Sequence, residues 1–341
     1  ENRRNLLRLD FNENTLGPSQ KVYEAIKDIN LNQISIYPEY NLLKKFVSNH
    51  YYESRQFDSE EIGLFNGADA AINAIFNSFG DRDEIFLTTN PTFGYYSPCS
   101  EIQGMRKITC AYEGENFLFP IKRFREKIIK HKPKLIFICN PNNPTGTVLS
   151  AQEIIKLANL NKKSLIVVDE LYEKFNGDSL LPVIDFKKIK NIVVIQSLSK
   201  TAGLAGLRIG FAFGHKSIMQ YINKVTGPYD VNSFAVTAAL AALNDKSYID
   251  NYVSEVKKAR VLIEKKFESI AIRKHFGGGN YFLIWPKKNP EILTRQMREK
   301  GILIREMKNK KDIENSIRVS IGTQEQMSFF WSTYKDLDLD N

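Results

Sequence analysis

The chain has 341 residues, 43% of them hydrophobic and 26% charged, which suits one large or two intertwined soluble domains with a substantial core. The net charge of +9 is scattered over separate lysine groups at 122–132, 187–190 and 308–311, with no aromatic residues alternating through them as a base-stacking platform requires. A nucleic-acid surface is therefore not expected, whereas anionic small molecules are favoured. Three cysteines without CxxC spacing (Cys99, Cys110, Cys139), four dispersed histidines and no apolar run near the roughly 18 residues of a membrane span predict reduced thiols, no metal, no membrane association and a cytoplasmic protein.

In chain order, Leu6 to Asn14 reads as extended, and a Gly17-Pro18-Ser19 turn precedes a helix from Gln20 to Ile29 with Ser19 as its N-cap. Tyr37-Pro38 breaks the pattern before a helix over Asn41 to Tyr51. From about residue 60, short apolar runs alternate with amphipathic segments. Strands are expected at 62–65, 85–88, 134–139, 164–169 and 192–196, with helices at 68–79, 121–131 and 151–160. Runs with so little polar alternation indicate a mostly parallel sheet covered by helices on both faces. Helices at 234–243 and 248–269 and short strands at 281–285, 302–305 and 316–319 follow. This divides the chain into a large α/β domain, 36–232, and a smaller α+β domain made of 1–35 and 233–341.

In such sheets ligands sit beyond the carboxyl ends of the strands, and the unusual residues fall there. Gly67-Ala68-Asp69 opens a helix whose backbone N–H groups would hold an anion, unless Asp69 only complements the helix dipole. Pro91-Thr92-Phe93 would lay a ring over a flat group, although a lone Phe is more often core. Asn140-Pro141-Asn142-Asn143-Pro144-Thr145-Gly146 forces a bend that can be a plain turn or can present Asn143 as donor and acceptor. Asp169 ends an apolar run, where a carboxylate is costly without a cation or donors; a helix N-cap is the simpler alternative. Ser197-Leu198-Ser199-Lys200, with Arg208 eight residues beyond the lysine, combines hydroxyls and a guanidinium for a phosphate with an amine for an aldehyde. Arg305 and Arg318 each end an apolar run and could clamp a carboxylate or a phosphate. A phosphate beside an aldehyde, with a carboxylate for a ring nitrogen, describes pyridoxal 5'-phosphate.

These stretches resemble the fold-type I pyridoxal-phosphate-dependent aminotransferases, and within them the histidinol-phosphate aminotransferase branch. The resemblance rests on Asn12 to Ser19 (N-E-N-x-x-G-P-S), Tyr37-Pro38, Asn66 to Asp69, 91–93, 140–146, 169–172, 197–208, Pro228 to Ser233 and Arg318. It implies the α/β fold of that class and a homodimer with a shared active site. It makes Lys200 the Schiff-base lysine, pairs Asp169 with the pyridine nitrogen, and sets Tyr172 and Asn143 on the phenolic oxygen and Phe93 on the ring. Ala68, Asp69, Ser197, Ser199 and Arg208 would hold the cofactor phosphate, joined by the partner subunit's Tyr37. Arg318, with Arg305 nearby, would take the substrate's anionic end. The resemblance also implies a cis Asn143-Pro144 bond. Leu16 stands where the branch has a tyrosine near the substrate phosphate, which leaves aromatic amino-acid aminotransfer and O-phosphothreonine decarboxylation as alternatives. A regulatory module that senses the cofactor is a remoter one, since no DNA-binding segment is apparent.

Overall fold

The computed structural model describes residues 2–50 and 57–340. Its centre is a seven-stranded sheet of β2 (Ile62–Phe65), β3 (Ile85–Asn90), β4 (Arg106–Ala111), β5 (Leu135–Cys139), β6 (Leu165–Asp169), β7 (Ile192–Ser197) and β8 (Gly210–Gly214). The order is β2-β8-β7-β6-β5-β3-β4, and β8 alone runs antiparallel to its neighbours. β5, β6 and β7 are buried at every position. Alternate residues serve different cores: Ile166 and Val168 face one cluster, Leu165 and Val167 the other. Burial on both faces explains the unbroken apolar runs. Because β4 lies outside β3 and the chain then returns to place β5 on its other side, the order reverses between β3 and β5. The loops after these strands diverge there and open a crevice.

Two smaller sheets complete the fold. β9 (Lys274–Phe276), β10 (Tyr281–Ile284), β12 (Arg305–Glu306) and β13 (Ile317–Ser320) form an antiparallel sheet of order β12-β13-β10-β9. β1 (Leu7–Arg8) pairs in parallel with β11 (Ile302–Leu303). The expected strand 302–305 is thus two strands, because the chain changes partner at Ile304. The extended 6–14 segment is a strand only at Leu7–Arg8. Beyond it the backbone is held by single bonds, such as Leu9 N–H to Leu303 C=O and Asn12 N–H to the Ser320 hydroxyl.

The helices 68–79, 121–131 and 151–160 form as expected. The first helix is Gln20–Lys27, where Ser19 occupies the N-cap without a capping bond. The next expected helix covers Asn41–His50, and Tyr51 lies outside the described residues. The helix Leu31–Ser35, the helix Tyr96–Ile102, β4 and β8 had no expectation. Among the described residues no helix is long and apolar enough to cross a membrane, no group of side chains could hold a metal, and all three cysteines are buried free thiols.

Candidate active site

Asp169 ends β6 on the face shared by Leu165 and Val167, and only 2% of it is exposed. One carboxylate oxygen accepts from the Tyr96 hydroxyl at 2.7 Å and the other from the Leu171 N–H at 3.3 Å. Burial pushes the acid up to about 6, against the Tyr96 bond and the Lys200 charge. Its neighbour Glu170 points to the opposite face. There the Ser179 hydroxyl, the Leu180 N–H and the Gln196 amide all donate to it, so it is an internal anchor. Strand alternation thus separates the two acids of the Asp-Glu pair into a site residue and a structural one.

Lys200 lies in the turn after β7. Its Nζ donates to the Phe11 carbonyl at 3.0 Å and stands 5.9 Å from the Tyr172 ring centroid. Burial first, then the Arg318 charge, brings its amine down to about 8. The free base is therefore far more populated near neutral pH than in an ordinary lysine.

Asn143 links the two ends of the site. Its Nδ2 donates to the Tyr172 hydroxyl at 3.2 Å and its Oδ1 accepts from Arg318 Nη1 at 2.6 Å. The Asn12 amide also donates to Tyr172 at 3.2 Å, so the phenol accepts twice and keeps its own proton to give. The remaining asparagines of the 140–146 loop are structural. The Asn140 side chain clamps the Leu149 backbone at both N–H and C=O, and Asn142 donates to the Pro91 carbonyl and the Thr145 hydroxyl. Thr92 Oγ1 donates to Asn142 Oδ1 at 2.7 Å, which ties the β3 and β5 loops across the crevice. The loop is thus both a bend and a site element, and Asn143-Pro144 is cis, as are Asn90-Pro91 and Asn140-Pro141.

Arg318 on β13 is 5% exposed. Its Nη2 donates to the Asp10 carbonyl at 2.6 Å, and its buried Nε has no hydrogen-bond partner among the described residues. Asp10 itself is held by Arg3 at 2.8 Å. Arg305 lies directly opposite Arg318 in the β12–β13 register, with its guanidinium 5.3 Å from the Phe11 ring centroid. A cavity of about 550 Å³ is lined by Lys200, Tyr172, Asn143, Phe93, Arg305 and Arg318.

A second cluster stands close enough for Asp69 and Arg208 to act electrostatically on Lys200. The helix Ala68–Phe79 begins at Gly67 (φ 85°) without a side-chain cap, which leaves its first N–H groups open to an anion. A Cβ at Gly67 would collide with the Arg208 guanidinium, so the glycine makes the cradle possible. Arg208 donates to Asp69 at 2.9 Å and to the Ala205 carbonyl at 3.2 Å. The Ser197 and Ser199 hydroxyls lie 2.9 Å apart, and Ser197 also donates to the Ile209 carbonyl. An uncapped helix start, two hydroxyls and a guanidinium fit a phosphate. An under-compensated carboxylate fits a protonated ring nitrogen, and a lysine of lowered basicity lies near both. The residues present fit pyridoxal 5'-phosphate.

Two expected residues belong to neither the cavity nor the second cluster within one chain. Tyr37 is 72% exposed and stacks on Tyr229 at 4.3 Å, and Leu16 is 55% exposed. Sequence reading passed over Tyr96, Asn12 and Lys310. Asn12 stood within a quoted motif, and Tyr96 lies just past Phe93; neither carried a chemical sign of its role.

This fold and site define a pyridoxal-phosphate-dependent enzyme of fold type I. The family model for aminotransferase class I and II matches residues 4–330, and the chain belongs to that family. A histidinol-phosphate aminotransferase of Caldanaerobacter subterraneus subsp. tengcongensis is 30% identical over 97% of this chain and 92% of its own. A dihydroxyacetone phosphate transaminase of Campylobacter jejuni is 30% identical over 95% of this chain and 88% of its own. A histidinol-phosphate aminotransferase from Sinorhizobium meliloti, solved with pyridoxal 5'-phosphate, superposes with a TM-score of 0.86 at 22% identity, covering 98% and 92% of the two chains.

Proposed function

We propose that this aminotransferase exchanges the amino group between L-histidinol phosphate and 2-oxoglutarate, as a step of histidine biosynthesis. The observation that carries the reading is the pair of the buried Arg318 and the exposed Arg305 opposite it, neither ion-paired with a carboxylate among the described residues, at the end of the cavity that holds Lys200. Such a pair suits a substrate with an anion remote from its amine.

The bound cofactor supplies an electron sink for the substrate's Cα. Lys200, whose basicity burial lowers to about 8 so that its free base is accessible near neutral pH, takes the Cα proton and returns it on the other side of the exchange. Asp169, held ionised by Tyr96, keeps the ring nitrogen protonated. Tyr172, fixed by Asn12 and Asn143, donates to the phenolic oxygen, and Phe93 covers the ring. The backbone of Ala68 and Asp69, with Ser197, Ser199 and Arg208, holds the cofactor phosphate. Arg318 orients the anionic end of either substrate, and Asn143 couples that end to the ring through its two hydrogen bonds. In this reading the enzyme is a cytoplasmic homodimer. The exposed Leu31, Ile34, Ile36 and Tyr37 supply an apolar face for the second copy, and the partner subunit's Tyr37 reaches the cofactor phosphate.

The test is the visible spectrum of the holoenzyme after separate addition of L-histidinol phosphate, L-phenylalanine or O-phosphothreonine. Conversion to the amine form of the cofactor by histidinol phosphate supports the reading. Conversion by phenylalanine alone, or carbon dioxide release from O-phosphothreonine, overturns it.

A further inference from the structure

The cavity holds a third cation that neither the motifs nor the proposed mechanism uses. Lys310 lies in the loop between β12 and β13, whose base is closed by Met307 N–H to Ser316 C=O. Met307 and Ile313 anchor the loop by packing with Phe117 and Leu283, and Trp285 Nε1 donates to the Glu314 carbonyl at 3.0 Å. Lys308, in the same loop, pairs outward with Glu291 and Glu306 at 3.3 Å each. Lys310 turns the other way and lines the cavity. Its Nζ meets the Thr92 carbonyl at 3.3 Å, a long bond across to the segment that carries Phe93.

Arg305, Lys310 and Arg318 therefore converge on one end of the cavity, and among the described residues none of the three forms an ion pair with a carboxylate. Arg305 and Arg318 are direct cross-strand partners, an arrangement of like charges that is unfavourable by itself. Burial first, and then the Arg305 and Arg318 charges, disfavours the charge of Lys310 beside them. The unpartnered Nε of buried Arg318 adds a donor without an acceptor. A monocarboxylate offers one charge to this group, whereas a phosphomonoester dianion offers two charges and three oxygens.

We infer that Lys310 is a specificity-determining residue: it leaves the Thr92 carbonyl to bind the phosphomonoester of the amino substrate beside Arg305 and Arg318. This deepens the proposed function and rests on it for the choice of substrate. It also accounts for phosphate recognition without a tyrosine at position 16, because the added ammonium replaces a neutral hydroxyl donor with a charged one.

The experiment compares Lys310→Met and Lys310→Arg with the parent holoenzyme. Three quantities are read: the KM and kcat for L-histidinol phosphate, the KM for 2-oxoglutarate, and the inhibition constant of inorganic phosphate. Loss of one charge-assisted bond raises the KM for the phosphorylated substrate and the phosphate inhibition constant by about tenfold to a hundredfold in Lys310→Met. Recovery in Lys310→Arg, a kcat changed by less than about twofold and an unmoved KM for 2-oxoglutarate complete the expected result. Unchanged phosphate inhibition, or equal losses for every substrate, overturns the inference. If histidinol phosphate is not a substrate but phosphate inhibition weakens in Lys310→Met, the inference stands and the substrate reading falls. If histidinol phosphate reacts and phosphate inhibition is unmoved, the inference falls alone.

Discussion

Tyr96→Phe isolates one hydrogen bond on which Asp169, the proposed partner of the ring nitrogen, depends. The substitution keeps the aromatic packing of Tyr96 against Phe137 (4.9 Å between centroids) and Phe93 (5.5 Å), and removes only the hydroxyl that donates to Asp169 at 2.7 Å. A hydrogen bond to a buried charged acceptor is worth about 1.5–3 kcal/mol, and about 1.4 kcal/mol corresponds to one pH unit. The Tyr96 hydroxyl stabilises the ionised acid and so lowers its proton affinity. Its removal raises the protonation midpoint of Asp169, already at about 6, into or past the neutral range. A neutral Asp169 no longer favours a protonated ring nitrogen.

Two measurements should therefore move together. The cofactor dissociation constant, from equilibrium dialysis at pH 7, should rise about tenfold or more. The acid limb of kcat/KM should shift upward by about one pH unit, so that the variant recovers as the buffer is made more alkaline. Asp169→Asn sets the limit, since it lacks the charge at every pH and should show no such recovery. An acid limb and dissociation constant equal to the parent's would refute the claim that Tyr96 poises Asp169.

Lys200→Ala should lower turnover by at least about a thousandfold, the scale of a missing proton-transfer group. The protein should still retain cofactor on dialysis, because the phosphate cradle is intact; steady-state turnover measured beside cofactor content separates the two effects. Arg208→Gln removes a charged donor beside the helix start at Gly67 and should weaken cofactor binding about tenfold to a hundredfold. Titration of the cofactor-free protein reads this directly, and an unchanged affinity would remove Arg208 from the cradle.

The residues legible in the sequence share one property: each is chemically out of place where it stands. A carboxylate closing the Leu165–Asp169 strand and a lysine between the hydroxyl residues Ser199 and Thr201 past β7 contradict the apolar runs before them. The buried parallel strands β3, β5, β6 and β7 were legible for a related reason, since burial on both faces leaves no alternation to confuse them with a half-exposed sheet, whereas the parallel edge strand β4 is mostly exposed and was not. β8 was not, because Gly210-Phe211-Ala212-Phe213-Gly214 is short and bounded by glycines, and its identity as a strand comes from pairing with β2 and β7. The break at Ile304 is likewise a choice of partner that no local pattern encodes.

Tyr96, Asn12 and Lys310 escaped for a different reason. A tyrosine among apolar neighbours reads as core, an asparagine in a loop as a turn residue, and a lysine in a lysine-rich loop as solvated surface. Each gains its role from a partner far along the chain: Tyr96 from Asp169, Asn12 from Tyr172, Lys310 from Thr92. Lys310 is the sharpest case, because Lys308 differs from it only in which side of a turn it occupies. The side is set by Met307 and Ile313, two buried apolar residues whose packing turns one lysine toward Glu291 and Glu306 and the other into the cavity. The residues proposed to hold the cofactor thus stand out by chemistry, while those proposed to tune it and sort substrates depend on how the loops around it pack. Activity class was accordingly legible from the sequence at a depth that substrate choice was not.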